Sequence, residues 1–252
     1  MSKVVPKKHL GQHFLKDENI AASIVKHLGA SDQHTVIEVG PGMGVLTKHM
    51  LNFPGLIAMD VDADSVAYLK RNYPDHADKF VLGDFLKQSL PDEARLIKVI
   101  GNLPYNISSQ IFFKIYDHRH QVDEAVVMIQ KEVADRIVSK HGNKVYGILS
   151  VLLQAYYDIT YLFTVKPEVF NPPPKVNSAV IRLVRNETKV LDCDEKLFKR
   201  VVKAGFGKRR KTLRNALKEL NFATDHIDEK TLGSRAEQLS VQEFIDLTKQ
   251  LS

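Results

Sequence analysis

This 252-residue sequence contains one cysteine, Cys193. An internal disulfide is therefore excluded, and so is a cysteine-rich zinc or iron–sulfur site. No histidine or glycine-rich context marks Cys193 as a nucleophile, so it reads as an indifferent or buried thiol. The composition suits a reducing compartment. No apolar run approaches the ~18 residues of a membrane span. The basic start, Met1 to Lys8, has no apolar segment behind it, so no secretory leader is expected. Acidic residues are missing where basic ones are dense. From Lys196 to Lys218 there are ten Lys/Arg and no Asp or Glu, and Met1 to Lys16 holds four lysines and no acid. The net charge is +6, and its clustering points to a polyanionic partner. A solvated helix face would interleave acids instead.

What is present is an ordinary globular composition, 44% hydrophobic, at a length that fits one large domain or one with a small partner. Short apolar runs at 35–39, 56–60, 79–82, 96–100 and 125–129 read as strands. They alternate with helical spacing at 44–51, 63–72, around Ile111 to Tyr116, and at 132–140. That alternation predicts a parallel sheet covered on both faces. After a helix at 146–157, runs at 159–165 and 179–184 predict an antiparallel edge hairpin joined by a proline-rich turn. Arg185 to Lys189 reads as a linker, and beyond it the pattern is helical only. Ser240 and Glu243 there mark a capping box, with Leu239 and Phe244 at staple spacing. The expected division is an α/β domain over 1–187 and a helical domain over 188–252.

The first strand ends in Glu38-Val39-Gly40-Pro41-Gly42-Met43-Gly44. Gly40 and Gly42 let a ligand approach the backbone closely, although such a turn can also bind nothing. The spacing departs from the dinucleotide pattern, and Glu38 is poor company for a pyrophosphate but tolerable for a zwitterionic nucleoside. Asp60, at the next strand end, is placed to accept from ribose hydroxyls, with Asp62 and Asp64 the better helix-cap candidates. Asp84 can accept from an adenine amino group or cap a turn. The sharpest signal is Asn102-Leu103-Pro104-Tyr105. An aromatic amine is a poor nucleophile because its lone pair is delocalised into the ring. The Asn102 side-chain oxygen and the Leu103 carbonyl can each accept one N–H and favour the pyramidal form. Pro104 stiffens the turn, and Tyr105 offers a face for the base.

These segments lie in the order of a known family. They are Gly11-Gln12-His13-Phe14-Leu15, Glu38 to Gly44, Gly83-Asp84, Asn102 to Ser108, Gln130-Lys131-Glu132, Phe170 to Ser178 and Phe206 to Leu217. The chain resembles the small-subunit ribosomal RNA adenine dimethyltransferases, the kasugamycin-sensitivity methylases, over nearly its whole length. The resemblance implies a Rossmann-like, seven-stranded methyltransferase sheet with a small C-terminal all-helical domain, and S-adenosylmethionine as cofactor. It implies that Gln12, His13, Leu15, Gly40, Asp60, Asp84 and Asn102 contact the cofactor or frame its pocket. It also implies four methyl transfers to the N6 groups of two adjacent adenines near the rRNA 3′ end. Phe170, held by Pro172 to Pro174, would stack the flipped base opposite Tyr105. Two positions depart from the family: Asp60 stands where Glu is usual, and Asn177 where Asp is common.

Lys208, Arg209, Arg210 and Lys211 with Arg214 are expected to contact rRNA phosphates. The expected partner is a small ribosomal subunit precursor, bound by a cytoplasmic monomer with no metal and no membrane. Two alternatives stand beside this reading. One is a large-subunit rRNA adenine methyltransferase of the macrolide-resistance type. The other is an RNA-binding assembly factor without turnover. A nicotinamide dehydrogenase is disfavoured by the glycine spacing.

Overall fold

The computed structural model describes residues 4–91, 96–208, 210–220, 222, 224 and 226–251. Its strands are β1 (Phe14–Leu15), β2 (Thr35–Val39), β3 (Leu56–Asp60), β4 (Phe80–Leu82), β5 (Ile97–Asn102), β6 (Val122–Gln130), β7 (Tyr157–Val165), β8 (Phe170–Asn171) and β9 (Ser178–Arg185). Helices are α1 (Glu18–Lys26), α2 (Ala63–Asn72), α3 (Ser108–Asp117), α4 (Lys131–Val138), α5 (Ile148–Gln154), α6 (Glu195–Gly207), α7 (Leu213–Ala216), α8 (Glu229–Gly233) and α9 (Val241–Gln250). Among the described residues, seven strands form one sheet in the order β4-β3-β2-β5-β6-β9-β7. Strands β2 to β6 pair in parallel, and β9 runs antiparallel to β6. β1 and β8 form a separate antiparallel pair.

All five residues of β2 are buried, as a strand covered on both faces requires. The apolar cluster on one side gathers Ile24, Val36, Met50, Val126, Met128 and Val180. Strand order reverses at β2, between β3 on one side and β5 on the other, so the loops after these strands diverge and open a crevice at their C-terminal ends. Asp17 caps α1 by accepting from Asn19 N and Ile20 N, and Asp62 caps α2 by accepting from Asp64 N.

Two sequence expectations change here. The helical spacing at 44–51 does not form an α-helix. Gly42 and Gly44 take positive φ (56° and 83°), and the chain continues as turns with a short 3₁₀ segment at Thr47–His49. β5 and β6 run further than their apolar cores suggested. Their charged ends are neutralised in the sheet: Lys98 Nζ lies 2.6 Å from Asp123 and 2.8 Å from Glu124, and Arg182 Nε donates to Glu124 at 2.6 Å. Buried charge persists in a strand only when paired.

The chain divides into two compact units, Met1–Ala134 with Thr160–Arg185, and Asp135–Ile159 with Asn186–Ser252. The second contains the segment beyond the linker together with α5. Its core includes a row of rings, with Phe206 between Phe244 (ring centroids 5.9 Å apart) and Tyr146 (6.0 Å). The Ser240–Glu243 capping box forms at the start of α9.

Candidate active site

Three neighbouring cavities lie at the C-terminal ends of β2 to β6. The first is lined by Gly40 and Gly42 after β2, Asp60 and Val61 after β3, Asn102 to Tyr105 after β5, and Leu10 to Phe14. The second shares Leu10, Val61 and Pro104 with it and reaches Leu82, Asp84 and Ile107. The third shares Gly11, Gln12, His13 and Tyr105 and is closed by Gln130 and Pro172 to Val176.

Residues 7–13 run across these strand ends and are fastened on both sides. Lys7 Nζ donates to Asp62 at 2.5 Å and to Asp64 at 2.8 Å, which pushes its pKa up to about 12. Burial opposes ionisation of Asp62, but the Lys7 and Gln12 side-chain hydrogen bonds outweigh it and hold the carboxyl below the usual range. Gln12 accepts from Lys7 N (2.8 Å) and donates to Asp62 (3.2 Å), so its amide frames the first cavity with its polar atoms already engaged. At the other end the His13 ring stacks on Tyr105, centroids 5.2 Å apart and planes inclined 29°. His13 Nδ1 lies 2.7 Å from the Pro172 carbonyl.

Asn102 Nδ2 donates to the His13 carbonyl at 2.8 Å. That bond fixes the amide and leaves Oδ1 without a partner among the described residues, on a side chain that lines the first cavity. Leu103 N donates to Met128 O at 3.0 Å, while the Leu103 carbonyl accepts nothing among the described residues. Two acceptors from consecutive residues thus remain unused, and both residues line the first cavity. The Tyr105 hydroxyl meets Ser178 Oγ at 2.5 Å, and burial raises its pKa.

The glycine turn forms a cradle. Gly40 has φ +70°, and a Cβ there would come 3.7 Å from Pro104 Cδ, inside the gap between the two loops. Gly42 has φ +56°, and a Cβ there would strike the Phe14 ring at 2.8 Å. Asp60 accepts from Gly42 N (3.1 Å) and Asp62 N (2.9 Å), so it braces this turn as well as lining the cavity; burial raises its pKa. Beneath the turn, Glu38 is 1% exposed with Oε2 unpartnered. Desolvation first, and the nearby Asp60 charge after it, push the Glu38 carboxyl up to about 8. It is therefore largely protonated near neutrality. What argues against a pyrophosphate here is the missing α-helix N-terminus after the turn rather than a charge on Glu38.

Asp84 accepts from Leu86 N at 2.9 Å and also lines the second cavity, so its capping and site readings hold together. Two residues stand elsewhere than expected. Leu15 is 4% exposed and pairs with Phe170 across β1 and β8, so it lies in the core behind the cavities and lines none of them. Phe170 is 1% exposed and packed in the same cluster. It presents no open face, and the segment closing the third cavity with Tyr105 is Pro172 to Val176. The reason is the β1–β8 pairing, which buries both side chains. Sequence reasoning passed over Leu10, Phe14, Val61 and Leu82. Val61 (48% exposed) and Leu82 (57%) are bare apolar side chains at strand ends, and a lone Val between Asp60 and Asp62 was the available signal.

In the second unit, Lys208, Arg210 and Lys211 are exposed on the turn between α6 and α7. Arg214 donates to Glu229 at 2.6 Å. Arg209 lies outside the described residues. Lys196 and Arg200 extend the basic surface along α6, opposite its buried Leu197, Val201 and Phe206.

A sheet with this strand order and a glycine cradle, an acid at the next strand end and an Asn-Leu-Pro-Tyr turn, defines an S-adenosylmethionine-dependent methyltransferase. The sequence model described as "Ribosomal RNA adenine dimethylase" matches residues 5–252. The chain belongs to that family. It is 56% identical over 256 residues to the ribosomal RNA small subunit methyltransferase A of Cytophaga hutchinsonii, covering 100% of this chain and 99% of that protein. The Flavobacterium johnsoniae protein of the same name is 52% identical, covering 100% and 97%. Among solved structures, a dimethyladenosine transferase from Plasmodium falciparum superposes with a TM-score of 0.79 at 25% identity, over 93% of this chain and 96% of that one. The 23S rRNA methyltransferase ErmE shares the fold at TM-score 0.70 and 22% identity, over 93% and 99%.

Proposed function

We propose that this protein dimethylates the N6 groups of two adjacent adenines near the 3′ end of small-subunit rRNA, acting in the cytoplasm as a monomer on a precursor of the small ribosomal subunit. The observation that carries this reading is the pair of unused acceptors, Asn102 Oδ1 and the Leu103 carbonyl, beside the glycine cradle.

The residues fit the cofactor. Gly40 and Gly42 leave room for it, Asp60 offers carboxylate oxygens, and Val61, Leu82 and Asp84 offer apolar faces and an acceptor for its purine. When bound there, S-adenosylmethionine supplies an electrophilic methyl that needs no activation by the protein. The chain's own work lies on the other partner. A flipped adenine enters the third cavity against Tyr105, and stacking of this kind contributes ~1–3 kcal/mol per base. Asn102 Oδ1 and the Leu103 carbonyl each accept a hydrogen bond from one N6 N–H and draw the nitrogen toward a pyramidal, nucleophilic shape. The nitrogen is cationic once methylated and releases one of its two protons to water; a single N–H then remains, so the second transfer needs just one of these acceptors. Residues 188–252 serve as the RNA-binding domain, with Lys208 to Lys211 on phosphates.

The test is methylation of unmethylated small and large subunits in vitro, with mass spectrometry of the rRNA. N6,N6-dimethyladenine at two adjacent small-subunit positions is the expected product. Product in large subunits alone supports the macrolide-resistance type, and none in either supports a binding factor.

A further inference from the structure

The acceptor pair explains how an aromatic amine is engaged, but it does not explain why the amine is adenine's. Cytosine also carries an exocyclic amine beside a ring nitrogen, and Asn102 with Leu103 would accept its protons equally well. Discrimination needs a group that meets something adenine has and cytosine lacks. Adenine's N7 acceptor, on the edge beside N6, is such a feature.

The third cavity holds few polar side chains free to read it. The Gln12 amide is engaged by Lys7 N and Asp62, His13 Nδ1 by the Pro172 carbonyl, and the Tyr105 hydroxyl by Ser178. Lys8 and Lys175 are exposed at the rim and offer charge without direction. Gln130 differs from all of these. It ends β6, half-buried, with its backbone in register with Ser178, the residue that fixes the Tyr105 ring. Its side-chain amide has neither donor nor acceptor engaged among the described residues, and it lines the cavity.

We propose that Gln130 is the specificity-determining residue of the base cavity, donating Nε2–H to N7 of the flipped adenine while N6 faces Asn102 and Leu103. A hydrogen bond there holds the purine in its plane against Tyr105 and rejects cytosine, whose C5–H at that edge offers no acceptor. The inference rests on the function proposed above and adds the group that selects the base.

The test uses the full chain and small subunits reconstituted with rRNA whose target positions carry adenine, 7-deazaadenine or 1-deazaadenine. Wild-type kcat/KM is expected to fall about tenfold on 7-deazaadenine and to hold on 1-deazaadenine. Gln130→Ala and the near-isosteric Gln130→Glu, which lacks the donor, are expected to fall about tenfold on adenine and no further on 7-deazaadenine. Cofactor affinity by equilibrium dialysis should stay at the wild-type value in both variants, which separates this role from damage to the fold. An equal loss on 7-deazaadenine in wild type and variants, a loss on 1-deazaadenine instead, or no loss on either overturns the assignment. Wild-type failure on unmodified subunits would instead remove the function on which it rests.

Discussion

Asn102 illustrates how one side chain does two jobs with its two ends. Its nitrogen ties the N-terminal segment to the strand end through the His13 carbonyl, and its oxygen is left for the substrate. Asn102→Ala is therefore expected to lower single-turnover methylation at least about a hundredfold, with cofactor affinity changing only severalfold. Equal losses in both would make Asn102 a scaffold residue. Glu38 contributes one part of the pH dependence of stability. Its carboxyl moves from 4.5 to about 8 on folding, so between these values the folded state holds a proton that the unfolded chain has released. Stability from this group is full below about 4.5 and declines as pH rises toward 8. Relative to Glu38→Gln, the wild type should lose on the order of 3 kcal/mol across that window. Urea titrations of the two proteins at pH 5 and pH 8 measure it, and a constant difference between them would refute the assignment.

At the scale of elements, the site is made by loops that meet only after the sheet is built. The glycine turn meets the start of β1, just after the segment over 7–13, where Gly42 faces the Phe14 ring. Gly42→Ala adds a left-handed backbone penalty of ~1–2 kcal/mol and a Cβ that Phe14 must vacate. It is expected to weaken cofactor binding about tenfold or more, read by isothermal titration. Gly142 is the control: φ is +90°, but a Cβ there meets nothing within 4 Å. Gly142→Ala should cost stability and leave affinity alone. The elements also show what was readable locally. β2 and β3 fall on their sequence-expected residues, the α2 cap falls on Asp62, one of its two candidates, and the Ser240–Glu243 box forms as read, because each depends on a few neighbouring residues. The helix expected at 44–51 failed, because closely spaced positive-φ glycines set the path of the turn before any helical spacing can act.

At the scale of the whole molecule, an rRNA adenine dimethyltransferase must both hold a large polyanion and present one base. The exposed cations around Lys208, Arg210 and Lys211 address the first task. Replacing these three by Gln should weaken rRNA binding and reduce the slope of log K against log salt by ~0.7–0.9 for each phosphate no longer neutralised. Cofactor affinity should be unchanged. An unaltered slope would move the RNA surface elsewhere. Arg214 is expected to matter less, since Glu229 already neutralises it.

The fold class, the reaction and the sign of the partner's charge were legible in the chain's residues. The first follows from strand periodicity and the last from acids absent over a continuous stretch, while the reaction rests on several motifs that resemble, in order, those of a known methyltransferase family. Which side chains face the cavities was settled only by long-range packing. Leu15 and Phe170 belong to family motifs yet are buried by pairing with each other across the chain, while Val61, Leu82 and Gln130 reach the cavities from strand ends. A motif records which residues are near in sequence. Whether a ring meets ligand or core depends on the partner strand that packs against it, and that partner is distant in the chain.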